Sequence, residues 1–296
     1  MTTEPYPGGM IAAAIRACTE SKPGTAQLDG AHPYLQVLGP IRVRNPSMLA
    51  PERSQYSCTE MLAWIHTHPG LGPGPMRQAM QCAEATRRSN LSKLRIWMGK
   101  TDDGKPYILE SLSGQFWLDS HVTSDWEQFC VLISGGVETA PTSALEAALG
   151  LIAGEIFADR IIHTYDWANE WVQDMQETVL ATVREFVTRC LAQQDYQGAR
   201  KACAVGLTAV PGCPELLALR MVVEHQSGNH EQATLHMVHA TRWAQEQGVG
   251  LAPCLVMAIQ QINEQSVFLE DGLQGRVERA RLSRLREVGG EGVRGS

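Results

Sequence analysis

Hydrophobic and polar positions alternate with helical spacing over the stretch that follows Ala85. Leu91, Leu94 and Met98 fall at i, i+3 and i+7, which is the spacing of one buried stripe. A second row on another face carries basic and hydroxyl side chains: Arg88, Ser92 and Arg95, with Ser89 and Lys93 beside them. Gly99 follows the last apolar residue, where a glycine commonly ends a helix. The pattern predicts a helix with one buried stripe and one basic, hydroxyl-bearing face.

Two short apolar runs follow this helix, at residues 107–109 and 115–118, and a Ser/Gly turn separates them. Such a pair predicts a β-hairpin. A basic helix of this kind fits a DNA major groove, and a hairpin beside it fits the neighbouring phosphates. A charged helix face is also what a helix shows when it merely faces solvent. This stretch alone therefore leaves two interpretations open, a DNA-binding helix and a solvated helix beside a small sheet.

The residues before the basic helix extend the pattern. Residues 34–43 are β-branched and alternating, with Gly39-Pro40 in the middle, and predict one bent strand or two short ones. Residues 53–68 have helical spacing. Residues 76–83 predict a second short helix, and Pro75 suits its first position. A strand, three helices and a hairpin describe an α+β winged helix-turn-helix of the OmpR-like variety.

The second half of the chain has the pattern of an all-α domain. Ser124 with Glu127 three residues later predicts a capping box at the start of a helix. Residues 195–199 (DYQGA) and 229–233 (NHEQA) are similar and lie 34 residues apart. A 34-residue period with a small residue at each helix crossing is typical of tetratricopeptide-like stacking, although two amphipathic helix pairs can match by chance.

Turn-rich composition places the domain boundaries. Residues 134–143 (SGGVETAPTS) are the best candidate for a linker. The chain is therefore divided into a flexible N-terminal arm at 1–33, a winged helix at 34–133, a linker at 134–143, a tetratricopeptide-like helical domain at 144–265 and a C-terminal helix with a disordered tail at 266–296.

Charge is distributed unevenly along the chain. The net charge of −7 over 296 residues argues against wholesale coating of nucleic acid. Within residues 85–105, however, six basic and two acidic residues give +4, whereas residues 131–265 hold seven basic and 15 acidic residues, which gives −8. A local basic patch can steer towards phosphates even on an acidic protein. The acidic half is expected to contact protein instead.

The remaining sequence features favour a cytoplasmic, non-enzymatic protein. The eight cysteines form no C-x-x-C pair, and the start of the chain has no signal peptide or membrane span, although a fragment of a larger membrane-associated protein stays possible. No phosphate-binding, dinucleotide-binding, zinc-protease or nucleophile-elbow motif is present, so no enzyme activity and no cofactor is expected. His236 and His239 share a helix face without a third ligand at a telling spacing, so no metal is expected.

Several phrases, in order and at plausible spacing, resemble one known family. They occur at residues 35–43 (LQVLGPIRV), 60–70, 90–99 (NLSKLRIWMG), 124–129 and 148–168. The chain resembles the actinobacterial regulators that join an OmpR-like winged helix to a bacterial transcriptional activator domain, including the antibiotic-regulatory type. It is nearest to the subset that, in longer members, sits behind LysM-type and membrane segments. The resemblance covers residues 34–265; Ile156 departs from it, because proline is common there in the family.

The resemblance implies transcriptional regulation through double-stranded DNA. It places six residues of the basic helix against the major groove and its phosphates and two lysines on the wing: Arg87, Arg88, Ser89, Ser92, Lys93 and Arg95, then Lys100 and Lys105. The helical domain would mediate dimerisation or contact RNA polymerase. The alternative is a signalling or scaffold protein whose winged helix does not bind DNA. Neither hypothesis identifies an operator sequence or an input signal, and neither distinguishes activation from repression.

Overall fold

A computed structural model describes residues 32–158 and 165–264 of the chain. The N-terminal part contains short strands and helices in this order: β1 Tyr34–Gln36, β2 Arg42–Arg44, α1 Gln55–Thr67, α2 Pro73–Ala79, α3 Glu84–Met98, β3 Ile108–Glu110, β4 Phe116–Leu118, β5 Thr123–Ser124 and α4 Asp125–Leu132. The predicted arm at 1–33, apart from its last two residues, and the predicted tail at 266–296 lie outside the described residues.

The N-terminal part contains two small sheets in addition to its helices. β1 lies between β2, with which it pairs antiparallel, and β5, with which it pairs parallel. β3 and β4 form the antiparallel hairpin, with Leu109 opposite Trp117. Residues 34–43 therefore form two short strands around Gly39-Pro40, one of the two predicted arrangements. This set of helices followed by a hairpin is a winged-helix arrangement.

The second helix begins earlier than its sequence pattern predicted. It spans Pro73–Ala79, with Pro73 at the first position and Gly72 as the extended residue before it. Pro75 is thus the third helical residue, not the first. Because the amides of the first turn have no partner within the helix, both prolines fit there without losing a hydrogen bond.

The C-terminal part is a stack of antiparallel helices: α5 Thr142–Gly150, a 3₁₀ turn at Asp166–Ala168, α6 Asn169–Ala192, α7 Tyr196–Ala209, α8 Pro214–Gln226 and α9 His230–Gln247, followed by helical residues 253–264. Ala199 and Ala233, which are 34 residues apart, are both buried near the start of the second helix of a pair. A Cβ at Gly206 would lie 3.0 Å from Val183 and 3.1 Å from Leu216, so the helices cross closely at this glycine. The spacing of small residues thus matches the close helix packing.

Buried polar groups connect β1 to α4. Ser124 caps α4: its Oγ accepts from the Glu127 amide at 3.1 Å, and Glu127 accepts from the Ser124 amide at 3.1 Å, which confirms the predicted capping box. The Asp125 carboxylate accepts from the amides of Val37 at 2.8 Å and Leu38 at 2.9 Å. Burial raises the pKa of Asp125 to about 6, although these hydrogen bonds act in the opposite direction.

One hydrophobic core runs from the winged helix into the helical stack, from Leu35 to Val223. The backbone after α5 returns to the first sheet, where the amides of Ala153 and Phe157 donate to the carbonyls of Leu38 at 2.7 Å and Val37 at 2.9 Å. Glu60 of α1 accepts from the Tyr165 amide at 2.8 Å. The two parts therefore share an interior and buried hydrogen bonds.

The predicted linker at residues 134–143 is held against α6. Arg189 donates to the carbonyls of Ala140 at 2.6 Å and Glu138 at 2.8 Å, and Ala140 is buried. Because a guanidinium has five donors in a fixed fork, one side chain can fix several carbonyls at once. This segment connects the two parts as an ordered element.

Candidate nucleic-acid interface

α3 is fixed at its C-terminal end and along one side. Leu91, Leu94 and Met98 are buried, as predicted from their spacing. Gly99 ends the helix at φ +78°, and the Met98 carbonyl accepts from Ser47 Oγ at 2.7 Å. The loop between β2 and α1 thus supplies partners for terminal carbonyls that would otherwise be unpaired. The opposite side of α3 is left facing solvent.

Most of the predicted polar residues lie on this exposed side. Ser89, Ser92 and Lys93 are exposed, and the Arg88 side chain is 74% exposed. Lys93 Nζ donates to Ser54 Oγ at 2.8 Å, a neutral partner that leaves the ammonium charge uncompensated. Hydroxyls and cations on one helix face are the groups that contact base edges and phosphates in a major groove.

Arg87 does not face outward, which corrects the prediction. It is 5% exposed, and its Nε and Nη2 donate to Glu84 at 3.0 and 2.7 Å. The physical reason is helical spacing, since Arg87 lies four and seven residues before Leu91 and Leu94 and so joins the buried row. Its Nη1 is buried without a hydrogen-bond partner in the described part of the chain.

Two carboxylates that the sequence analysis did not single out compensate the arginines. Glu84 accepts from Arg87 and also from Arg88 Nε at 2.8 Å, and these hydrogen bonds lower the pKa of Glu84 to about 2. Glu110 of β3 pairs with Arg95. The i, i+4 spacing of Glu84 and Arg88 could have been recognised in the sequence. The Glu110 contact could not, because it depends on the hairpin folding back on α3.

Lys100 and Lys105, which were predicted to lie on the wing, precede the β3–β4 hairpin and are not part of it. They flank a separate turn between α3 and β3, in which Lys100 and Pro106 form an isolated bridge. The hairpin tip is residues 111–115, where the Ser111 amide donates to the Gln115 carbonyl at 2.9 Å. The exposed Leu112 occupies the tip instead.

Other candidate sites receive no support from the described geometry. Across residues 32–158 and 165–264, no three His, Cys, Asp or Glu side chains come together as they would around a metal ion. No helix in those ranges is both long and apolar enough to cross a membrane. His225 is buried against His230, with ring centroids 4.8 Å apart.

Comparison with known proteins agrees with this fold. No family model and no curated protein matches the sequence. Among solved structures, the chain is similar to Mycobacterium tuberculosis EmbR in complex with a low affinity phosphopeptide, with a TM-score of 0.56 and 17% sequence identity. The match covers 79% of this chain and 65% of that one, so this chain spans somewhat less than two thirds of the EmbR chain. At this identity the likeness shows the fold, a winged helix joined to a helical domain.

Proposed function

We propose that this protein is a DNA-binding transcriptional regulator in which α3 enters the major groove and the β3–β4 hairpin lies beside the phosphates. The observation that carries the proposal is the exposed face of α3, where Arg88 and Lys93 flank Ser89 and Ser92. The rest of the chain is acidic, so this cationic face is the part of the protein that would attract phosphates.

The helical domain is proposed to contact protein, either RNA polymerase or a second copy of the chain. Its outer helix α9 exposes Leu235, Val238 and Trp243, and large apolar side chains grouped in this way are common at protein interfaces. Its negative charge makes DNA an unfavourable ligand for this half.

The salt dependence of DNA binding tests the proposal. Replacing both Arg88 and Lys93 by alanine is expected to lower affinity for duplex DNA about tenfold or more at low salt, and to reduce the slope of log K against log salt by about 2. Fluorescence anisotropy over a salt series measures both. The matched control replaces Lys201 and Arg242, two exposed cations of the helical domain, and should leave the slope unchanged. Absence of wild-type binding at low salt, or equal slopes for both double variants, would contradict the proposal.

Glu84 is expected to restrain DNA binding. Glu84→Gln removes a negative charge beside the proposed phosphates and releases Arg88, so affinity for any duplex should rise about threefold at low salt and converge with the wild type at high salt. The control is Glu246→Gln, because Glu246 pairs with Arg242 at the same i, i+4 spacing on α9. Circular dichroism checks that both variants are folded. Unchanged or weaker binding by Glu84→Gln would count against this role.

A second candidate function is a scaffold whose winged helix does not bind DNA. The pairing of Arg88 with Glu84 and of Arg95 with Glu110 favours it, because carboxylates already compensate two of the three outward cations of α3. The Glu84 experiment separates the two functions. On a DNA-binding face the released arginine increases affinity, whereas on a scaffold the substitution leaves DNA binding undetectable.

A further inference from the structure

The row of α3 that lies opposite its buried stripe is not its charged row. Ala85, Ser89, Ser92 and Ile96 recur at i, i+4, i+7 and i+11, and all four are exposed. We call this set the outer row. Arg88 lies to one side of it and Lys93 to the other, because each residue of a helix is rotated by about 100° from the one before. The outer row is therefore an uncharged strip of small side chains, with one large aliphatic residue, flanked by two cations.

Ile96 is the unusual member of this row. Its side chain is 63% exposed, on the side of α3 opposite to the buried Leu91 and Leu94. The loop between β2 and α1 is joined to this end of α3, because the Met48 amide donates to the Trp97 carbonyl at 3.2 Å, and Met48 is also exposed. Because most of this side chain is exposed, it contributes little to folding and is available for contact with a ligand.

The surroundings of Ile96 favour DNA as that ligand. A major groove is bordered on both sides by phosphates, and Arg88 and Lys93 lie on both sides of the outer row. The row extends over about 16 Å, which corresponds to about five base-pair steps. Inside the groove the thymine C5-methyl is the apolar group on a base edge, and apolar side chains contact it. Ser89 and Ser92, which lie between Ala85 and Ile96 in the outer row, can hydrogen-bond to base edges.

We propose that Ile96 is a specificity-determining residue that selects an A·T pair by contact with the thymine methyl group. This inference rests on the proposed DNA binding and names the base that the end of α3 reads. Arg88 and Lys93 would fix the register through phosphates, while Ile96 would discriminate among sequences.

The experiment begins with selection of bound duplexes from a random DNA library by the full chain. One position of the selected site is expected to be thymine. Replacing that thymine by uracil, which removes only the methyl group, should weaken wild-type binding about fourfold. For Ile96→Ala the thymine and uracil duplexes should bind equally, and selection with this variant should lose the preference at that position. Val131→Ala, an exposed aliphatic change on α4, should retain the preference and the uracil sensitivity.

The outcomes separate this inference from the function on which it rests. If the wild type enriches no duplex and binds none at low salt, both fail. If the wild type binds selected duplexes, but replacing each thymine by uracil leaves the affinity unchanged, the role given to Ile96 is wrong and the proposal of DNA binding is retained. If Ile96→Ala retains the wild-type sequence and uracil sensitivity, Ile96 does not read thymine. In that case the apolar end of α3 belongs to a protein contact.

Discussion

Replacing Asp125 by alanine is expected to lower the free energy of unfolding by about 3 kcal/mol. The side chain is 2% exposed, and its carboxylate accepts from the amides of Val37 and Leu38. Each buried amide left without an acceptor costs about 1–3 kcal/mol. Urea denaturation followed by circular dichroism measures the change. Asp103→Ala, in an exposed turn, is the control and should change stability by less than about 0.5 kcal/mol.

The same residue predicts a pH dependence with a definite sign. Because burial raises its pKa to about 6 in the folded protein, against about 3.9 in the unfolded chain, the folded state binds the proton more tightly. The stability from this group is therefore fully present below pH 4 and is lost as pH rises through 6, a loss of about 3 kcal/mol. Asp125→Asn lacks this component. The difference in stability between wild type and Asp125→Asn should fall between pH 4 and 7, and a constant difference would contradict the assignment.

Replacing Glu60 by leucine is expected to lower the free energy of unfolding by about 2–4 kcal/mol, because the Tyr165 amide and the Trp167 indole both lose their acceptor. Oε1 of Glu60, which is 8% exposed, accepts from the Tyr165 amide at 2.8 Å and from the Trp167 indole at 3.3 Å. Burial raises the pKa of Glu60 against the effect of these hydrogen bonds. Denaturation monitored by tryptophan fluorescence gives the loss.

A matched variant separates hydrogen bonding from charge at this position. Glu60→Gln retains an oxygen acceptor at Oε1, so it should cost less than half of what Glu60→Leu costs. Equal losses for the two substitutions would mean that the carboxylate charge, and not the accepted hydrogen bonds, joins α1 to the residues around Trp167.

The secondary structure was predictable at positions where residues close in sequence determine the backbone conformation. The capping box at Ser124, the helix-ending Gly99 and the alanines 34 residues apart each express a short-range requirement of the backbone. The start of α2 was harder, because Pro73 and Pro75 are both compatible with a first turn. The return of residues 151–158 to β1 has no local signal, since its hydrogen bonds join residues more than 100 positions apart.

The candidate interface was predicted in its outline and partly in its residues. Arg88, Ser89, Ser92 and Lys93 lie on the exposed side of α3, whereas Arg87 is buried. Helical rotation alone places Arg87 with the buried residues and Ile96 with the exposed ones. The pairing of Arg95 with Glu110 depends on tertiary structure and could not be read from spacing. The role of these residues in binding DNA stays a prediction.

The attachment of residues 134–143 to α6 through Arg189 would restrict the spacing of the two DNA half-sites that a pair of chains can bind. A flexible tether lets two binding modules reach sites at many separations, with an effective concentration that varies slowly with distance. Here the carbonyls of Glu138 and Ala140 are held, and a shared core joins the two parts. If two copies associate through their helical domains, the distance between their α3 helices is fixed by that association. Half-sites would then have to lie on one face of the duplex at a single spacing, and inserting half a helical turn between them would abolish paired binding.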